Sequence, residues 1–446
     1  MEGNTSRQNN RFNVNEVFRA LKSRNYRLFF FGQLISLVGT WIQSVALSWL
    51  VYSLTGSAVL LGIVGFTSQI ATFLLTPFAG VLVDRWNRHR MIIMTQTMFM
   101  IQALLLAFLV LAGKIQVWQI IALGTFAGFV NGFDIPTRQS FVIEMVENRE
   151  DLPNAIALNS SMFNAARLVG PALAGALIAA VGEGMCFLIN GISYIAVIIA
   201  LFFMRVAVDT REREHPHPVT QLREGFAYTF GFPPIRSIIY LLALISLVSM
   251  PYAVLMPVFA TKILHGGPAT LGILTSATGV GALVGAIFLA SRKSVLGLGK
   301  WIPFSAFMLG AALIAFSFSG TLWLSISILI IIGFVALTQM ASSNTILQTI
   351  VEDAKRGRVM SFYTMAFMGM APFGSLMAGT LAESIGAPRT VAIGGFIAIV
   401  GAIVFASNLP RLRELVRPVY CEKGILPVQI CGVEKVTEDT VPPEQR

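Results

Sequence analysis

Charge is scarce in this chain. Only 12% of its 446 residues are Asp, Glu, Lys or Arg, where soluble domains carry about 25%. Hydrophobic residues make up 55%, and the mean hydropathy is +0.73. These figures exclude a water-soluble fold and describe a polytopic membrane protein. Cysteine and histidine are scarcer still. Cys186, Cys421 and Cys431 are too few and too scattered for a disulfide framework or a zinc site. His89, His215, His217 and His265 all fall in or beside polar loops, which argues against an intramembrane metal centre. The chain has no Gly-x4-Gly-Lys-Ser/Thr loop, so no P-loop ATPase is built in. No cluster of His, Asp, Cys or Ser gathers at one end of the apolar runs, as a membrane enzyme would need. Neither enzymatic activity nor a cofactor is expected. The first apolar run starts after 27 residues and is too long for a cleaved signal peptide.

What the chain does have is long uncharged sequence. Leu28 to Val83, 56 residues, holds no Asp, Glu, Lys or Arg. One crossing of a bilayer takes about 20 apolar residues, so this run crosses twice and returns to the face where it began. The same reading along the chain gives twelve spans, near 28–53, 58–83, 91–112, 117–136, 155–180, 185–204, 237–261, 269–291, 301–318, 322–348, 359–383 and 389–409. Residues 1–27 are a polar segment ending in a short surface helix, with Arg19, Lys22, Arg24 and Arg27 reaching for headgroups. Residues 28–204 and 237–409 form two six-span bundles. The polar stretch 205–236 links them, and Val219 to Phe230 within it can form an amphipathic surface helix. The stretch Asp134 to Pro153 reads as a water-exposed connection, and 410–446 as a weakly structured tail.

With these spans, the loops on the side of both termini carry 28 Lys and Arg, and the opposite loops carry 3. Basic loops stay in the cytoplasm, so both termini are expected there, in a multi-pass protein of the cell membrane. These loops also account for the net charge of +10. A nucleic-acid partner is not implied, because no basic face with interleaved aromatics lies outside the spans.

The loop after the second span reads Gly80-Val-Leu-Val-Asp84-Arg85-Trp-Asn87-Arg88-His89-Arg90. Asp84 ends a long apolar helix, where an acid needs a partner. Gly80, one turn earlier, admits a second helix closely. The stretch resembles the Gly-x3-Asp-Arg-x-Gly-Arg-Lys loop between helices 2 and 3 of the major facilitator superfamily. Asn87 stands at the usual Gly and His89 at the usual Lys; Asn tolerates a left-handed turn, so the turn is expected to survive. Gly170, Gly175 and Gly182 return as Gly374, Gly379 and Gly386 at a constant offset of 204, as in parallel six-span repeats. Three phrases are similar to the branch that includes enterobactin and macrolide exporters: Phe18-Arg-Ala-Leu-Lys-Ser-Arg-Asn25, Pro136-Thr-Arg-Gln, and Asn159-Ser-Ser-Met-Phe-Asn-Ala-Ala-Arg167-Leu-Val-Gly170-Pro171. The resemblance implies an all-α fold of twelve transmembrane helices in two pseudo-symmetric bundles. It implies a monomeric secondary transporter that exports amphipathic small molecules (drug, siderophore or metabolite) by alternating access, in antiport with H+, amid membrane lipids. An importer or uniporter of a polar solute is the alternative within the class, and it would put more polar and acidic residues into spans 1, 4, 7 and 10. A non-transporting receptor or enzyme is the alternative outside it.

Three groups of residues are expected to carry mechanism. Gly80, Asp84, Arg85, Arg88 and Asp134 form a latch with Arg356 and Arg358. In it Asp84 meets the positive start of span 11 and Arg88 bridges to Asp134. Gly170-Pro171-x3-Gly175, following Arg167, resembles a span-5 motif of exporters. Physically, Pro171 removes a backbone donor and bends the helix, and the small residues let a neighbour approach. Arg167 is the one basic residue deep in a span. It either faces a cavity or ties backbone carbonyls. A midplane pocket is expected to have Gln43, Asn131, Asn159 and Arg167 on one wall and Tyr252, Met256, Gln339 and Met365 on the other, since polar groups in lipid must face a cavity or one another. Met360, Met365, Met368 and Met370 offer an adaptable apolar lining. Asp134 is the alternative choice for a proton-carrying carboxylate.

Overall fold

The computed structural model describes residues 18–83, 86–205, 218–292 and 294–426, with backbone alone at 77, 80–83, 218–224 and 354. Among the described residues, twelve helices are long and apolar enough to cross a membrane. Span 1 is Arg24–Thr55, span 2 Ala58–Val83, span 3 Arg88–Leu111, span 4 Val117–Met145, span 5 Leu152–Val181 and span 6 Glu183–Phe202. Span 7 runs over Pro233–Ile263. Span 8 is Pro268–Ala290, span 9 Leu298–Ser317, span 10 Leu322–Ile350, span 11 Arg356–Ile385 and span 12 Ala387–Glu422. A linker helix, Pro218–Gly231, precedes span 7.

The packing repeats between halves. Span 1 packs on spans 5 and 6 as span 7 packs on spans 11 and 12. Span 2 lies on span 4 as span 8 lies on span 10, and span 3 on span 6 as span 9 on span 12. Between the bundles, span 2 runs along span 11 and span 5 along span 8. The glycine echo falls on this symmetry. Gly182 (φ 83°) and Gly386 (φ 89°) are the hinges into spans 6 and 12, in a region of φ that other residues enter only with strain. Below, the linker face is the end of the molecule carrying the linker helix, and the far face is the other end.

Four local structures depart from expectation. The described part of the N-terminal segment, from Phe18 on, is not a surface α-helix. Arg19–Lys22 is one 3-10 turn docked on the start of span 5, where Arg19 pairs with Asp151 and the Ala20 N–H donates to Asn154 Oδ1 at 2.9 Å. Span 1 therefore begins at Arg24. Span 4 continues through Pro136 to Met145, because Phe141, Val142 and Met145 extend its buried face. Asp134 thus lies inside a helix and is 1% exposed, rather than on a water-exposed connection. Span 7 is broken: an α-helix to Val248 is followed by a 3-10 stretch, Met250–Leu255, and a π-helical turn, Phe259–Ile263. Pro251 and Pro257 supply no backbone donor and force the change of pitch. Finally, the first part of the tail is helix. Leu412 and Val416 are buried and carry span 12 on to Glu422.

The linker helix forms over the expected stretch. Phe226 and Phe230 pack edge-on against Phe362 of span 11, at 6.1 and 5.8 Å between centroids.

Candidate functional site

On the far half of the interface between bundles, backbone meets backbone. A Cβ at Gly175 would stand 3.0 Å from the Gly272 Cα, and one at Gly272 would stand 2.5 Å from the Pro171 carbonyl oxygen. The symmetric pair does the same. A Cβ at Gly379 would lie 2.9 Å from the Gly62 Cα, and one at Gly62 would lie 2.6 Å from the Ser375 carbonyl oxygen. Hydrogen bonds close the same region. Glu383 of span 11 accepts from the Ala58 N–H at 2.8 Å and from Ser57 Oγ at 3.3 Å, capping the positive start of span 2 across the interface. Ser276 Oγ of span 8 donates to the Leu168 carbonyl at 3.0 Å. Glu383, Gly62 and Gly272 were not among the expected site residues. The legible signal was the placement of small residues on spans 2 and 8, where Gly175 and Gly379 need partners.

Nearer the linker face the same helices also present exposed polar side chains. Leu168 meets Gly279 of span 8. One and two turns back from Arg167 and Leu168, the same face of span 5 carries Asn164, Ser161 and Ser160. Among the described residues their side chains bond only their own helix carbonyls, and both serines are exposed. The face of span 11 that meets span 2 at Ser375 continues as Met368, Met365, Thr364 and Ser361, all exposed. Span 10 adds exposed Thr345 and Gln348. Polar side chains left bare at this depth call for water rather than lipid. A cleft between the bundles, shut at the far face and open at the linker face, meets that need.

Arg167 sits at the closed end of this cleft. It is half-buried, and among the described residues it makes no ion pair or side-chain hydrogen bond. Tyr252, in the broken part of span 7, lies within its electrostatic reach. Arg167 and Tyr252 thus belong to opposite bundles and make no direct hydrogen bond among the described residues. Gly170 and Gly175 flank Pro171 where span 5 crosses spans 1 and 8; a Cβ at Gly170 would strike the Trp41 Cβ at 2.4 Å.

The other expected pocket residues are dispersed. Met365 is exposed on the cleft face of span 11. Gln43 is tied inside the first bundle, donating to Gln102 Oε1 at 3.0 Å and accepting from Asn190 Nδ2 at 2.7 Å. Asn159 accepts from the Tyr26 hydroxyl at 3.1 Å. Asn131 borders a small cavity of about 60 Å³ shared with Gln33, Thr40, Gln96, Asp134 and Tyr194. Met256 and Gln339 are buried.

Around Asp134 the first bundle holds a network of charged and polar side chains. Asp134 Oδ2 pairs with Arg138 at 2.8 Å, and Oδ1 accepts from Thr95 Oγ1 and Gln96 Nε2, each at 2.8 Å. Arg88 pairs instead with Glu144 at 2.7 Å. The expected bridge from Arg88 to Asp134 is therefore replaced, because span 4 stays helical past Asp134. That puts Arg138 one turn beyond the acid and Glu144 opposite the start of span 3. Asn87 caps span 3, accepting from the Arg90 N–H at 3.0 Å in extended backbone, and not in a left-handed turn. His89 Nε2 meets the Leu201 carbonyl at 2.8 Å. Arg356 pairs with Asp353, and Arg358 packs beside Gly225 of the linker helix. Gly80 lies in the last turn of span 2, and Asp84 and Arg85 lie outside the described residues. Among the described residues, no group of three or more His, Cys, Asp or Glu could hold a metal ion.

Comparison with known proteins agrees with this architecture. The chain is 27% identical over 382 residues to the staphyloferrin A transporter of Staphylococcus aureus, covering 85% of this chain and 95% of that one. It is 26% identical over 401 residues to the multidrug efflux pump Tap of Mycolicibacterium fortuitum, covering 87% and 96%. Macrolide efflux protein A of Streptococcus pyogenes is 22% identical over 406 residues, covering 88% and 98%. Among solved structures, a transporter of the POT family in complex with 5-aminolevulinic acid superposes with a TM-score of 0.71 at 12% identity, covering 87% of this chain and 97% of that one. A bacterial homolog of the human lysosomal transporter Spinster superposes at 0.64 and 13%, covering 90% and 98%. The model of the transmembrane secretion effector family matches residues 16–419, and the chain belongs to that family of major facilitator secondary transporters of small molecules.

Proposed function

We propose that this transporter exports amphipathic small molecules from the cytoplasm, in exchange for protons. The cleft carries the reading. It opens on the linker face, and its walls mix thioethers, hydroxyls and one cation, which suits molecules with both apolar and polar parts. The bias of 28 basic residues to 3 favours a cytoplasmic linker face and cytoplasmic termini. Reporter fusions after His265 and at Arg446 are expected on opposite sides of the membrane; finding both on one side overturns the orientation. The relatives lend support, being by name a staphyloferrin A transporter, a multidrug efflux pump and a macrolide efflux protein. Asp134, a buried carboxylate beside a cavity with room for water, is the group proposed to carry the proton.

In the exchange cycle the linker face must close when the far face opens. Asp84 is proposed to hold that closure by meeting the start of span 11, a contact worth up to about 2 kcal/mol. The test is accumulation of dyes, macrolides and siderophores in cells with and without the transporter. Lower accumulation of at least one class in its presence, reversed when the proton gradient is collapsed, is the expected result. Asp84→Asn is expected to slow that efflux several-fold at unchanged membrane abundance. Higher accumulation in cells carrying the chain would establish import instead.

A further inference from the structure

We propose that a groove on the flank of the second bundle, at its linker-face end, binds an anionic phospholipid. This site is separate from the cleft, since it lies among spans 7, 9, 10 and 12 rather than 2, 5, 8 and 11. It encloses about 540 Å³, within the usual range of about 300–1,000 Å³ for ligand sites. One wall is the extension of span 12, where Phe405, Leu409, Leu412, Val416 and Tyr420 recur every three or four residues and so form one apolar stripe. Ile238 of span 7 and Leu296, before span 9, face that stripe across the groove. The rim is basic. Lys300 stands on one side and Arg413 and Arg417 on the other, all exposed, and among the described residues no acid lines the groove.

Depth agrees with this layout. Span 12 has 36 residues, a length of about 54 Å, against a hydrocarbon core of about 30 Å. Its last turns therefore pass through the headgroup layer. They are held in place there, because Lys423 Nζ donates to the Thr349 and Val351 carbonyls at the end of span 10, at 2.7 and 3.2 Å. A floor of hydrocarbon under a rim of three cations, at headgroup level, complements an acyl chain under a phosphate. A soluble phosphate would satisfy the rim alone. A zwitterionic lipid would satisfy the floor but gain little from the rim.

The experiment uses the full chain in mild detergent. Native mass spectrometry compares retention of phosphatidylglycerol and phosphatidylethanolamine with matched acyl chains. Wild type is expected to prefer phosphatidylglycerol. Lys300→Gln with Arg413→Gln is expected to weaken that lipid roughly 30-fold, each cation near the surface supplying about a fivefold share, with phosphatidylethanolamine unchanged. Gly299→Leu is the second variant. A Cβ there meets only Ile346 Cδ1, at 3.9 Å, so the added side chain plugs the floor without disturbing the fold. It is expected to displace both lipids at an unchanged unfolding temperature. Equal retention of phosphatidylglycerol by wild type and the double variant overturns the proposal. So does competition by glycerol phosphate, which would make the rim a soluble-anion site. So does strong lipid binding that appears only after residues 427–446 are deleted, which would make the chain's own tail the occupant.

Discussion

Gly272→Leu is expected to lower transport on the order of 100-fold while the protein still folds and inserts. Overpacking usually costs about 1–3 kcal/mol, since neighbouring side chains can shift. The neighbours of Gly272 are the Pro171 carbonyl oxygen and the Gly175 Cα, 2.5 and 2.8 Å from where a Cβ would stand. Backbone of a helix cannot move aside by itself, so spans 5 and 8 must part as units. Only the state sealed at the far face is penalised. A bias of about 3 kcal/mol against it changes a two-state ratio by roughly 100-fold, and loading from the linker face becomes rare. A cysteine at Ser276 should then react with impermeant reagents from the far side, where in the unaltered protein it is shielded. Gly62→Leu, the symmetric change, should behave alike. Gly320 is the control: a Cβ there meets nothing within 4 Å, so Gly320→Leu should transport normally. Normal transport by Gly272→Leu would mean that this seal is no part of the cycle.

How far such a seal can be read in advance depends on where its two sides lie along the chain. The twelve spans were legible because lipid imposes one rule on every residue between Leu28 and Val83. The echo of Gly170, Gly175 and Gly182 in the second half was legible because it is a pattern within the chain. Their partners were not. Gly62 meets a residue more than 300 positions away, and nothing local marks that contact. Asp134 shows the same limit. Its neighbours Pro136 and Arg138 look like the start of a loop. Yet Phe141, Val142 and Met145 pay for continued helix by burial, and this decides which arginine the acid meets. Asn87 shows that a substitution within a motif can change the local solution. The asparagine caps the next helix from extended backbone, where a left-handed turn was expected. The break in span 7 was present as Pro251 and Pro257, but hydropathy averages over such residues.

Arg167→Gln is the change expected to bear most directly on substrate. An arginine at the centre of a membrane helix costs about 2.5–3.5 kcal/mol, and it is tolerated where it faces water or a partner. Arg167 is half-buried at the closed end of the cleft, with no ion pair among the described residues. Its guanidinium therefore remains available to whatever enters. It is proposed to receive an acceptor group of the substrate, such as a carboxylate or carbonyl, through its planar fork of donors. Hydrogen bonds to a charged group are worth about 1.5–3 kcal/mol. Arg167→Gln should then weaken binding of an acidic substrate roughly 10- to 100-fold, and Arg167→Lys, which keeps charge but loses the fork, should fall between. Neutral substrates should be less affected. Two readouts separate this from a structural tie to span 5 carbonyls. A tie predicts a lower unfolding temperature for both variants and the same loss for every substrate. A recognition site predicts an unchanged unfolding temperature and a loss graded by substrate charge. Equal loss across acidic and neutral substrates would remove Arg167 from recognition and leave it as a fastening of the helix.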